Sequence, residues 1–366
     1  MNKIYKKSKD KNFKKKFVVC IAAGKGQVPV ILKAKSLGYS VVAIDQNINA
    51  PGFRYADFKI CQSTYDSNAI IKSLKKLNIR FVGILNRSSG PPVITTSKIS
   101  HYFNIPGVPI KSAISLVNKD KMRSTFAKLK VPNPKYKIYS IKKYKTKGNF
   151  SFPFVIKPGL SLIGKSGVSV VNIKNKINDA IKYAEKYTIN KKIIIEEFLE
   201  GPNISLISFV NNGKFFPIAL LEEINMMDKN GKIFPSGYRT ISANQINLRK
   251  KVYKIALTII SKFNIQRSPL MISFRQKPNK DLIIVEIHLD MGGDMLIEKF
   301  FPKAFSFDFL ELAIKMATSK VKHVVNYKIK NVAIIFKNKI INDKEYKIIT
   351  ASTNKKLNEK ISKLNT

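Results

Sequence analysis

The chain has 366 residues, 44% apolar and 25% charged, which excludes a peptide-sized scaffold and a disordered chain and leaves room for two or three domains. Two cysteines, Cys20 and Cys61, exclude a disulfide framework and read as inert thiols in a reducing compartment. The net charge of +44 raises nucleic acid as a partner, but the excess is lysine scattered through every segment among abundant isoleucine and asparagine. That is the pattern of AT-rich coding on solvated surfaces, and it implies weak nonspecific polyanion binding rather than a dedicated nucleic-acid site.

Residues 1–16 read as a basic, frayed N-terminus. The apolar run 17–23 that follows superficially copies a signal peptide, yet it is short and passes directly into Gly24-Lys25-Gly26; a cytoplasmic protein is expected. No apolar stretch reaches the roughly 18 residues of a membrane span. Instead, the run reads as a buried strand, followed by a glycine turn, helical spacing over 28–37 and Gly38 as a cap. A second strand over 40–44 ends at Asp45, a second helix covers 69–77 and a third strand 81–85. Such alternation predicts a doubly wound parallel sheet. Helices are expected over 97–103 and 112–129, separated by Pro106-Gly107-Val108-Pro109, with a boundary near 110–135.

Hairpins dominate beyond that boundary. Strands are expected over 154–157 and 168–171, a helix over 175–187, and strands over 192–197 and 204–210 ending at the turn Asn211-Asn212-Gly213. A loop is expected around 228–237, then a helix over 245–263 and strands over 270–275 and 282–288. Residues 331–349 suggest a small terminal hairpin, and 350–366 a lysine-rich helix or tail. The expected division is a frayed segment 1–16, a first domain 17–112, a second 113–322 and a small C-terminal unit 323–366.

Gly24-Lys25-Gly26 lacks the third glycine of a dinucleotide fingerprint. More chemistry resides in Lys157-Pro158-Gly159 and the loop through Gly164-Lys165-Ser166-Gly167, where a strand-end lysine and loop N–H groups can surround phosphate oxygens. The strand 193–197 ends in Glu196-Glu197, with Phe198-Leu199-Glu200-Gly201-Pro202-Asn203 behind it, and can offer backbone groups to an adenine edge. On the strand 282–288 and its extension, Glu286, His288 and Asp290 share one face because side chains alternate. One imidazole and two carboxylates can bind a divalent cation, although magnesium prefers oxygen donors.

The order of these pieces resembles the ATP-grasp superfamily, in the carboxylate-amine ligase branch with a pre-ATP-grasp domain. The similarity extends over residues 17–300 and includes Ala50-Pro51-Gly52, Tyr55-Ala56-Asp57, Asn86-Arg87-Ser88-Ser89 and Asn118-Lys119-Asp120-Lys121-Met122-Arg123. It implies an α/β fold: an N-terminal doubly wound parallel sheet, Rossmann-like, followed by a two-lobed α+β ATP-grasp domain with nucleotide and metal lobes. By this resemblance Lys121 and Lys157 hold ATP phosphates, Ser166 and Gly167 cover them, and Glu196, Glu197 and Leu199 lie at the adenine. Asn203 stands where a ribose-binding glutamate is usual. Glu286 is implied to bind magnesium, or manganese, with His288 and Asp290 as further ligands. Ser273 stands where a first metal carboxylate is usual, and Asp290 or Asp294 is the expected source of the missing charge.

The implied reaction joins a small carboxylate to an amine through an acyl phosphate, with release of ADP and phosphate. Arg239, in the segment 234–239, is expected to anchor a carboxylate, and Arg275 to replace an arginine near the metal strand. Small-molecule carboxylate and amine substrates are the expected partners, and a homodimer is compatible with this reading. The alternative is a degenerate ATP-grasp protein that binds nucleotide or a partner without ligation.

Overall fold

A computed structural model describes residues 4–6, 16–141, 151–161, 166–228, 231–293, 295–318, 321, 328–336 and 345–363. The first sheet is built from β2 (Phe17–Ile21), β3 (Ser40–Asp45), β4 (Phe58–Cys61) and β5 (Phe81–Asn86), all parallel, with β1 (Ile4–Lys6) antiparallel on the outer edge of β4. The short β1 lies in a segment that the sequence suggests is only a frayed end. Parallel strands are covered on both faces, and the runs are apolar accordingly. Val19, Ile21, Val42 and Ile44 face Ile70 and Leu74 of α2 (Ser67–Lys75) and Ile99 of α3 (Pro91–Tyr102). Their alternates Val18, Cys20, Val41 and Ala43 face α1 (Val28–Ser36). Burial pushes the Cys20 thiol up to about 12, which fits an inert packing role.

The expected helix over 112–129 is two helices, α4 (Ile110–Val117) and α5 (Lys119–Leu129), broken at Asn118, whose backbone is extended at φ −84° and ψ 109°. A second sheet of four antiparallel strands follows in the order β6 (Tyr136–Ser140), β9 (Lys192–Glu197), β7 (Phe154–Pro158), β8 (Ser169–Val171), packed on α6 (Ile177–Tyr187).

The third sheet has seven antiparallel strands. Their order is β14 (Leu282–His288), β13 (Arg267–Gln276), β10 (Asn203–Asn211), β11 (Lys214–Met227), β12 (Ile233–Thr240), β15 (Asn331–Phe336), β16 (Tyr346–Ala351). Residues 233–237 of the loop expected around 228–237 are thus part of strand β12. The terminal hairpin is not a separate layer: Gly237 pairs with Ile335, so it extends the large sheet. One face of this sheet, with Ile204, Leu206, Ile272 and Phe274, packs on α7 (Ile246–Lys262). The other, with Phe209, Leu221 and Tyr238, shares a core with the first sheet, a π-helical turn (Leu296–Phe300), α8 (Phe301–Ala304) and α9 (Phe309–Thr318). The last helix, α10 (Asn354–Ser362), covers β15 and β16 through Leu357.

Two glycines fix where the second and third sheets meet. Gly201 has φ +113°, and a Cβ there would lie 1.9 Å from the Gln276 carbonyl oxygen. At Gly231, φ +75°, a Cβ would lie 2.1 Å from the Val170 carbonyl oxygen, while its own carbonyl accepts from Val170 N at 2.8 Å. Both positions need backbone without a side chain.

Candidate active site

Lys157 lies near the end of β7, and Glu196 near the end of the neighbouring β9; both are buried, 4% and 5% exposed. The ammonium Nζ sits 2.7 Å from Glu196 Oε2. From the other side Arg123, on α5 and fully buried, donates Nε to Glu196 Oε1 at 2.6 Å and Nη2 to Oε2 at 3.3 Å. Its remaining donors reach Asn133 Oδ1 at 3.3 Å and the carbonyls of Ile284 at 2.9 Å and Val285 at 2.7 Å. All five guanidinium N–H groups are therefore occupied. The last bond has a local cause. The register of β13 and β14 shifts so that Ser273 faces Glu286 but Phe274 faces Ile284, which leaves Val285 as the extra residue of a bulge. Arg123 receives the carbonyl that the bulge turns out of the ladder.

The charges respond to this packing. Burial raises the Glu196 carboxyl, but Arg123 and Lys157 outweigh it and hold the group down at about 2. For Lys157 burial is the larger effect: Glu196 pushes back, Arg123 and Lys119 add repulsion, and the ammonium ends at about 8. A cation so poised is held ready for an anion that replaces or supplements its carboxylate partner.

Next to this pair, Lys119 Nζ lies 2.7 Å from Glu286 Oε1. Glu286 Oε2 is 3.6 Å from His288 Nε2, and His288 Nδ1 is 3.8 Å from Asp290 Oδ2. The alternation on β14 and its extension places the three in a row. Burial works against Glu286 ionising, but Lys119 and His288 carry it well below the usual carboxylate range. Burial likewise opposes charge on His288, and Glu286 and then Asp290 push it up to about 9. Asp290 is 3% exposed; its Oδ1 accepts from Gly292 N at 2.8 Å and its Oδ2 has no hydrogen-bond partner.

This arrangement does not fit magnesium. Glu286 already gives one oxygen to Lys119, its other oxygen stands 3.6 Å from His288 Nε2, and Ser273 brings a hydroxyl 3.2 Å from Ser205 Oγ rather than a carboxylate. Among the described residues no group of three or more His, Cys, Asp or Glu is placed to hold a metal ion. Asp294, a second expected source of charge, lies outside the described residues, as do Gly164 and Lys165 of the phosphate loop.

Other expected residues are distributed more widely. Lys121 is on the exposed face of α5. The lysine that reaches the cluster is Lys119, which shares a helix face with Arg123 at i, i+4 spacing. That spacing, legible in the sequence, is the signal that separates Lys119 from Lys121. Ser166 and Gly167 (φ +80°) form the turn into β8, with Gly167 against the Pro158 ring. Glu197 Oε1 accepts from Lys135 N at 2.8 Å. Leu199 is half-buried in the connector between β9 and β10. Asn203 opens β10 and pairs with both Glu223 and Arg275.

The two expected catalytic arginines part company. Arg275 projects on the same sheet face as Ser273 and Glu286, and its Nη1 donates to Gly201 O at 2.7 Å, so it braces the connector. Arg239 does not meet the cluster. It pairs across β11 and β12 with Glu222, Nη2 to Oε2 at 2.6 Å, and also bonds Asn358 of α10. Glu222 stands opposite Ile204, and Ile204 opposite Phe274, so Arg239 projects from the face opposite Glu286. It lies in β12, just beyond the loop expected around 228–237. Arg87, after β5 with its side chain 5% exposed, ties three loops together through Gly26 O at 2.6 Å, Gly292 O at 3.4 Å and Glu298.

A buried, cation-rich cluster lies between the four-stranded sheet and the larger antiparallel sheet, beside the parallel N-terminal sheet, and this fold matches that of ATP-grasp proteins. Residues 150–298 match the ATP-grasp domain family model. Among curated relatives, it is 28% identical over 196 residues to the formate-dependent phosphoribosylglycinamide formyltransferase of Prochlorococcus marinus (strain MIT 9312), covering 52% of this chain and 49% of that one. The chain thus spans about half the length of that relative. Among solved structures, an L-amino acid ligase from Bacillus licheniformis superposes with a TM-score of 0.72 at 17% identity, covering 88% of this chain and 79% of that one. An N5-carboxyaminoimidazole synthetase from Staphylococcus aureus complexed with ADP gives 0.70 at 15% identity, over 89% and 83%. These structural likenesses show the fold. No described helix is long and apolar enough to cross a membrane.

Proposed function

We propose that the chain is a cytoplasmic ATP-dependent ligase that joins a small carboxylate to an amine through an acyl phosphate. The observation that carries this reading is the buried convergence of Lys157 and Arg123 on Glu196, beside Lys119 on Glu286. Lys157 and Lys119 hold the ATP phosphates, with backbone groups of Ser166 and Gly167 alongside. The connector from Glu196 to Leu199 borders the adenine, Asn203 bonds a ribose hydroxyl and Arg275 positions the connector. Arg123 positions Glu196 and the bulge before Glu286.

In the first step an oxygen of the substrate carboxylate attacks the γ-phosphorus, and the bond to the ADP oxygen breaks. The amine then attacks the acyl carbon, phosphate leaves with the acyl oxygen, and the amine loses a proton. Lys157 and Lys119 neutralise negative charge on the transferred group, in a cleft where such interactions are strong. Because Glu286, His288 and Asp290 do not fit magnesium as placed, no step is assigned to a metal. The name of the curated relatives, formate-dependent, makes formate the first acid to try.

The test is phosphate release from ATP with pooled small acids and amines, formate included. Release that requires both an acid and an amine and is lost in Lys157→Met supports ligation. A second reading, nucleotide binding without ligation, is favoured by the neutralisation of Glu286 by Lys119 and His288. It predicts ATP-induced stabilisation with no acid-dependent release.

A further inference from the structure

A cavity of about 50 Å³ lies between α3 and β5 on one side and β13 and α9 on the other. Neither Lys157, Glu196 nor Glu286 lines it. Its wall is mostly apolar, with Ile105, Val108, Phe209, Leu289 and Ala317, and Arg267 stands in it as a cation. Arg267 opens β13, its backbone N–H bonded to Gly107 O at 3.3 Å, and its Nη1 makes a long bond of 3.3 Å to Ala317 O. Its Nε is buried with no hydrogen-bond partner. Among the described residues it has no carboxylate partner, and burial alone, with no charge to offset it, holds its pKa below the ordinary value.

Carboxylates answer two other guanidinium groups, Glu196 for Arg123 and Glu298 for Arg87, whereas Arg249 shares with Arg267 a buried Nε that has no hydrogen-bond partner but lines no part of this cavity. Arg267 is half-buried, and a guanidinium partly withdrawn from water without such an answer carries a cost. An anion in the cavity removes that cost, and the surrounding wall asks that the rest of the ligand be apolar. One water needs at least about 10–15 Å³ and takes about 30 Å³ in the liquid, so the cavity has room for about two to three waters, the body of a short carbon skeleton.

We propose that this cavity is a binding site for a small aliphatic monocarboxylate, its acid group on Arg267 and its alkyl body against Val108, Leu289 and Ala317. The site is separate from the nucleotide cluster. Its upper wall includes Asn86 and Met291, which are joined by Met291 N donating to Asn86 O at 3.2 Å. These two residues precede Arg87 and Gly292 in loops bordering the candidate active site, so an occupant braces that border.

The experiment is calorimetric titration of the full chain with isovalerate, and with the isosteric neutral isovaleramide, in the absence of ATP. The expected result is saturable binding of the acid, with the amide at least tenfold weaker. Arg267→Met and, independently, the cavity-filling Ala317→Leu should each weaken the acid at least tenfold while retaining ATP-induced stabilisation. On the unaltered protein, NOEs from the ligand methyls to Val108 and Leu289 methyls locate the same site without any variant. Equal binding of the amide, no saturable binding, or loss of binding in Lys157→Met but not in Arg267→Met would overturn the proposal.

Discussion

Arg123 and Glu196, 73 residues apart in sequence, meet through two hydrogen bonds in which both carboxylate oxygens are engaged. This contact joins α5 to the four-stranded lobe, and through Ile284 and Val285 the same guanidinium holds the strand that carries Glu286. One buried side chain thus spans both halves of the cleft.

Replacing Arg123 with methionine leaves Glu196 short of a partner and two carbonyls without donors. Breaking a buried pair from one side costs about 3–5 kcal/mol, so denaturant unfolding of Arg123→Met should show a loss of that order. A loss below about 1 kcal/mol would mean that the pair contributes little to holding the lobes.

Proton linkage gives a second test. The Lys157 ammonium stands at about 8 in the free protein, and phosphates placed against it raise that value. Between the two values the complex holds a proton that the free protein lacks, so ATP binding should take up protons at pH 8.5 and weaken as pH rises through 8. Calorimetry in two buffers of different ionisation enthalpy measures the uptake. It should shrink in Lys157→Met.

The parallel sheet, the β7–β8 hairpin and the strand bearing Glu286 are legible in the sequence because each follows from local periodicity and turn residues. Arg239 is not legible in the same way. Its partner Glu222 is supplied by strand pairing, and its sheet face depends on the registers of β10 to β13, which no local pattern encodes. Strand β12 itself is hidden by Pro235 and Gly237, residues that read as loop. Lys119 is the opposite case: helix spacing with Arg123 singles it out, while Lys121 lies on the outer face. The cation Arg267 reads as a surface residue until tertiary packing half-buries it.

The two arginines with catalytic expectations should therefore behave differently. Arg239→Ala removes a half-exposed pair worth about 0.2–1 kcal/mol and should leave steady-state ATP turnover unchanged. Arg275→Ala releases Gly201 O and should raise the KM for ATP several-fold. Equal effects of the two on that KM would contradict the placement of Arg239 on the far face.

Gly201→Ala puts a Cβ against the Gln276 carbonyl at a left-handed φ. The change should destabilise the protein by more than about 1 kcal/mol in thermal or denaturant unfolding and weaken ATP binding, because the connector cannot keep its path. An unperturbed Tm would show that the β9–β10 connector tolerates a different path.

The acyl phosphate is tested most directly with isotope. The acid that triggers phosphate release is supplied with both carboxylate oxygens as oxygen-18, together with ATP and the amine, and the released phosphate is examined by mass spectrometry or phosphorus NMR. Attack of the carboxylate on the γ-phosphorus predicts one oxygen-18 atom in each phosphate formed. Release of unlabelled phosphate alongside amide product would contradict the account.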